Sequence, residues 1–187
     1  MVNTLAWTRT LPVTVVVCFG MISARLLITR VDYDTNPDYV TMRVRINNES
    51  VGSTVDIDGR LFVDLTQGIF ASIEVETKVD GEFTTVAGTN KELCGEADTQ
   101  LDPMVAILNE ELLKFGNLTF ICPYYQGFYS LNRFYMPDDH IAVTMLPPGD
   151  YILKMDLMHQ PVNETKKVLL FKLTFFSTLT PSGPSIE

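Results

Sequence analysis

The stretch GIFASIEVETKV, Gly68 to Val79, decides the fold. Ile69, Ala71, Ile73 and Val75 occupy alternate positions, Val79 returns to the same phase, and Ser72, Glu74, Glu76 and Lys78 stand between them. Successive side chains of an extended chain point to opposite faces, so this pattern gives one face to a core and the other to water. YVTMRVRI, Tyr39 to Ile46, repeats it with Val40, Met42, Val44 and Ile46. GDYILKMDLM, Gly149 to Met158, does so with Tyr151, Leu153, Met155 and Leu157. Half-buried strands of this kind belong to antiparallel sheets. VLLFKLTFF, Val168 to Phe176, is apolar on both faces in places and suggests a more central strand. Asp58-Gly59 and Asp80-Gly81 interrupt strand-like runs and read as hairpin turns.

One segment departs from this period. DPMVAILNEELLKFGN, Asp102 to Asn117, spaces its apolar residues as a helix does and predicts one over about 103–115. Asp102 suits the N-cap, Pro103 the first turn and Gly116 the C-terminal cap. Its face of Met104, Val105, Ile107, Leu108 and Leu112 is broad enough to cover a sheet edge or a pocket mouth. Many short strands with one helix predict a mainly β, antiparallel sandwich.

The N-terminus carries one charge, Arg9, and then an apolar run from Leu11 to Ala24. A membrane span needs about 20 apolar residues, so the run is too short for one. Ile22-Ser23-Ala24 suits a signal peptidase, and no polar residue alternates with the run as a half-buried strand requires. Residues 1–24 therefore read as a secretory signal peptide, 25–178 as one domain and 179–187 as a loose C-terminal tail.

Secretion decides the cysteines. Cys18 leaves with the signal, and the remaining Cys94 and Cys122 read as one disulfide in an oxidising compartment. It would tie together the two approaches to the helix. Structural zinc wants about four ligands, and His140 and His159 lie near neither cysteine, so no metal is expected. The net charge of −9 becomes one unit more negative without Arg9, which argues against a nucleic-acid partner. Sequons begin at Asn48, Asn117 and Asn163, and glycosylation is expected there.

Catalytic chemistry finds no constellation. MPDDHIAV, Met136 to Val143, reads as a polar turn before Ile141 and not as part of a triad. DIDG, Asp56 to Gly59, lacks the further ligands of a calcium loop and reads as a hairpin turn. With no phosphate loop and no nucleophile elbow, the chain is expected to be no enzyme and to carry no cofactor.

The order Asn117 to Asn132, ending in CPYYQGFYSLN, followed by LPPGDYIL at Leu146 to Leu153, resembles a large insect family of small secreted proteins. That family includes the chemosensory CheB proteins and is related to the myeloid-differentiation-related lipid-recognition (ML) domain. Cys94, the helix, Cys122-Pro123, Gly127, Tyr129, Pro147, Gly149 and Tyr151 fall on the family's features in order. The extra N-terminal cysteines of many members are missing here. The resemblance spans about 53–176 and implies an immunoglobulin-like, ML-like β-sandwich that opens between its sheets to admit an apolar ligand. It implies a role in contact chemosensation, including pheromone response.

The expectation is thus a secreted, non-enzymatic binder of an apolar small molecule (a lipid, fatty acid or hydrocarbon), with a membrane receptor or channel as a further partner. Met104, Leu108, Leu112, Phe115, Phe120, Phe128, Leu153 and Phe171 are its expected pocket residues, with Phe120 and Cys122 on one strand face, Phe120 and Phe128 pointing inward, and Tyr125 outward near the rim or at a partner surface. The rival expectation is an extracellular protein-interaction module whose rings fill a solid core. A cavity of several hundred cubic ångströms would favour the binder over the module.

Overall fold

The computed structural model describes residues 24–49, 52–94 and 103–181. The chain runs β1 (Ala24–Thr35), β2 (Val40–Glu49), β3 (Gly52–Leu61), β4 (Ile69–Val79), β5 (Glu82–Glu92), α1 (Pro103–Leu113), β6 (Gly127–Phe134), α2 (Ile141–Thr144), β7 (Gly149–His159) and β8 (Val168–Pro181). Five strands form one sheet in the order β1-β8-β7-β4-β5, and three form the other in the order β2-β3-β6. Every pairing is antiparallel. Val55 and Ile57 of β3 and Leu131 of β6 share one buried cluster with Ile28, Ile73, Leu173 and Phe175 of the larger sheet. The two sheets therefore face each other as a β-sandwich. Among the described residues no helix is long and apolar enough to cross a membrane.

The alternation seen in the sequence sets the strand faces. Ile69, Ala71 and Ile73 are buried on β4 while Phe70, Ser72 and Glu74 are not. β8 lies between β1 and β7, as its apolar character on both faces anticipates. Asp80 and Gly81 both take positive φ between β4 and β5, the backbone of a tight hairpin turn. Glycine carries such a conformation without the Cβ clash that other residues meet.

Five local expectations are corrected. Asp58-Gly59 is no turn: both residues lie inside β3, paired to β2 on one side and β6 on the other. The helix stops at Leu113, and Lys114 and Phe115 close on it through hydrogen bonds to Glu111 and Leu112. Gly116 acts through close approach: a Cβ there would sit 1.8 Å from the Ser130 carbonyl oxygen. The chain does not loosen at 179, because β8 continues to Pro181 and Leu179 is buried against β1 and β7. Residues 118–123 form no strand, so Phe120 and Cys122 share no strand face. The expected N-cap Asp102 and all but the last residue of the expected signal peptide lie outside the described residues.

A bulge shapes the smaller sheet. The β3–β6 register shifts between Val55 and Ile57, and Arg133 opposite takes φ of 54°. The Asp56 carboxylate accepts the Arg133 N–H at 2.7 Å and the Asn47 amide at 2.9 Å, replacing a ladder bond that the bulge removes. These donors, the Arg133 N–H first, hold the Asp56 carboxyl below the usual 3.8.

Candidate ligand cavity between the sheets

Between the sheets lies a cavity of about 500 Å³. Its walls are nearly all apolar and come from all eight strands, from α1 and α2 and from the loops beside them. Met42, Leu153, Met155, Phe171 and Phe134 point toward the opposite sheet yet remain only half-buried. A filled sandwich would enclose such side chains fully, because protein interiors pack without large voids. Met145 lines the cavity and is 76% exposed, so the space reaches the surface beside α2.

The lining offers little charge. Arg60 contributes at Gly59-Arg60, but its guanidinium lies on the outer face, 5.5 Å from the Phe62 ring centre and 5.2 Å from that of Phe128. Tyr129 and Tyr151 line the cavity and donate their hydroxyls to the Tyr125 and Pro147 carbonyls. Thr119 donates to Asn109 Oδ1 at 2.8 Å. Burial pushes the Tyr124 phenol well above the usual 10, so it is neutral. Among the described residues, no three His, Cys, Asp or Glu side chains gather as metal ligands would.

α1 closes one flank of the space. Asn109 is 4% exposed, and its Oδ1 accepts the Phe120 N–H at 2.7 Å. One buried amide thus fixes the helix to the segment that leads into Cys122. The Cys94–Cys122 disulfide, with Cα atoms 5.5 Å apart, ties the end of β5 to that segment. The buried Glu111 carboxylate meets Lys114 and, at 3.3 Å, His140 Nε2, which joins α1 to the entry of α2. Both helices frame the mouth.

Of the residues expected in a pocket, Leu108, Leu112, Phe120, Leu153 and Phe171 line this cavity. Phe115 does not: it packs edge-on against Phe134 and Tyr135, at 5.4 Å and 5.3 Å. Phe128 is corrected outright, being 72% exposed on the outer face. The pairing explains it. Gly127, Tyr129 and Leu131 oppose Leu61, Gly59 and Ile57, which face inward, and Phe128 opposes the outward Arg60. Tyr125 is exposed and does not line the cavity. Met104 lies in the first turn of α1, where side chains fall outside the described residues.

Sequence reasoning missed Tyr124, Tyr129, Leu131, Val143 and Leu146 as lining residues. The signal available was the alternation of Tyr129 with Leu131, masked by rings in both phases at Tyr124, Tyr125, Phe128 and Tyr129. Of the sequons, Asn48 is exposed on β2, and Asn163 stands in the β7–β8 loop with φ of 69°. Asn117 is exposed but clamps β6, donating to the Phe128 carbonyl and accepting from the Ser130 N–H.

Fold and site together define a disulfide-tied β-sandwich with an apolar cavity between its sheets. Residues 72–153, a little under half the chain, match a family model described as protein of unknown function (DUF1091). The match runs from β4 to β7 and includes α1 and both bonded cysteines. No curated protein matches the chain. Among solved structures, the crystal structure of the C-terminal domain of wzt aligns over 83% of this chain and 80% of its own. Its identity of 16% and TM-score of 0.34 are too low to carry an argument.

Proposed function

We propose that this protein is a secreted, non-enzymatic carrier or co-receptor for a lipid or other apolar small molecule, acting in chemosensation. The observation that carries the reading is the apolar cavity of about 500 Å³ between the sheets. Ligand pockets span roughly 300–1,000 Å³ and are mostly apolar with few polar groups. A buried apolar ligand is held by area, at about 25 cal/mol per Å² removed from water. Secretion is supported by the disulfide. Signal cleavage after Ala24 would leave the strand intact from Arg25, paired with Thr180. The chemosensory role rests on the resemblance of the Cys122–Asn132 and Leu146–Leu153 segments to the CheB and ML-related proteins.

The outward Phe128 and Tyr125 add a surface for a protein partner, for which a membrane receptor or channel is our proposal. Titration of a fluorescent fatty-acid or hydrocarbon probe at low and high ionic strength tests the carrier reading. Saturable binding of equal affinity in both is expected, because charge contributes little in such a lining. Absence of saturable binding, or binding abolished by salt, would overturn it in favour of the interaction module.

A further inference from the structure

Tyr124 differs from the rest of the lining. It is 6% exposed and held by a reciprocal backbone bridge to Leu65, at 2.8 Å and 3.0 Å. Its ring packs among Leu61, Leu65, Leu157 and Leu170 at one end of the sandwich. Its hydroxyl, fully buried, finds no hydrogen-bond partner among the described residues. Tyr129 and Tyr151 both satisfy theirs on main-chain carbonyls. A buried hydroxyl without a partner is costly, and native proteins rarely keep one without a reason.

We infer that Tyr124 is the polar anchor of the cavity, and that the ligand is a neutral long-chain lipid with a single oxygen-bearing group, such as an alcohol, ketone or ester. Its oxygen reaches the Tyr124 hydroxyl through a small shift of the leucines packed over it, and that hydroxyl can both donate and accept. The chain then runs toward the mouth beside Met145. Leu157 packs in the Tyr124 cluster and Tyr151 in the cluster of α2, six residues apart on β7. At about 3.3 Å per residue the two ends lie roughly 20 Å apart, the length of an extended chain of about 15 carbons. An ionised fatty acid fits less well, because the one basic residue on the lining, Arg60, turns its guanidinium to the outer face. The carboxylate would be buried without a counter-charge. A plain hydrocarbon would leave the hydroxyl unpaired.

This inference rests on the carrier reading, and the test separates the two. Displacement of N-phenyl-1-naphthylamine by 1-dodecanol, dodecane and dodecanoate is measured on the wild-type protein and on Tyr124→Phe. Removal of one net hydrogen bond should weaken dodecanol about tenfold in the variant. Dodecane affinity should stay unchanged, and dodecanoate should bind the wild type more weakly than dodecanol. The variant should melt at or above the wild-type temperature, since it loses only an unpaired group. Dodecanol bound equally by both proteins, or dodecanol and dodecane weakened alike, overturns the anchor while leaving the carrier standing. Failure of every probe on the wild type overturns both.

Discussion

Met155→Trp separates a hollow sandwich from a filled one. Met155 sits at the centre of the larger sheet, flanked by Ile73 on β4 and Leu173 on β8, and its side chain lines the cavity. An indole there adds roughly 60 Å³ of side chain, which in a filled core would cost about 1–3 kcal/mol through overpacking. In a cavity of about 500 Å³ the added ring meets open space instead. It would bury roughly 50 Å² more apolar surface, worth about 1 kcal/mol. The two cases differ by some 2–4 kcal/mol, well within reach of urea unfolding followed by fluorescence or circular dichroism. The expected result is a stability equal to or above wild type, with at least a tenfold loss of probe affinity. A loss of about 2 kcal/mol or more, with probe binding unchanged, would refute the reasoning.

The disulfide spans 28 residues of sequence, and on the chain-entropy model its removal in Cys94→Ser/Cys122→Ser costs about 3–4 kcal/mol in urea unfolding; a loss below about 1 kcal/mol would contradict that role. Asn109→Ala strips the partner from the Phe120 N–H and the Thr119 hydroxyl, and should cost about 2–4 kcal/mol, whereas a neutral effect would mean that α1 is not anchored there. The Asp56 carboxyl is held below 3.8 in the folded chain, so in that window the unfolded state binds more protons. Stability therefore falls as pH drops from 3.8 toward the lowered value. Asp56→Asn should flatten that stretch of the curve of urea midpoint against pH, and an unchanged slope would contradict the assignment.

The strands were legible because period-two alternation follows directly from backbone geometry: Ile69, Ala71 and Ile73 could point only to one side. The disulfide was legible because two cysteines in a domain expected to be exported leave one pairing. Asp58-Gly59 misled because it has the composition of a turn. Yet the ladders to Arg43-Met42 and Ser130-Tyr129 hold both residues extended, and tertiary pairing outweighs local propensity. The phase of β6 could not be read through the five rings among the ten residues from Phe120 to Tyr129. It is set where the ladder begins, at Gly127 opposite Leu61, and a slip of one residue reverses every side chain. Phe128 fell on the wrong side for that reason. Whether the core is hollow was not legible at all, because Met155 or Leu153 is equally suited to filling a core or lining a cavity. Tyr124 was hidden likewise, since sequence does not say which hydroxyl will lack a partner.

The most direct measurement of the central claim is a crystal structure of the protein with 1-bromododecane, the bromine located by anomalous scattering. The account predicts a bromine peak between the two sheets, in the space bounded by Ile57, Met155 and Phe171. A peak confined to the outer face around Phe128, or no peak between the sheets at saturating ligand, would contradict it.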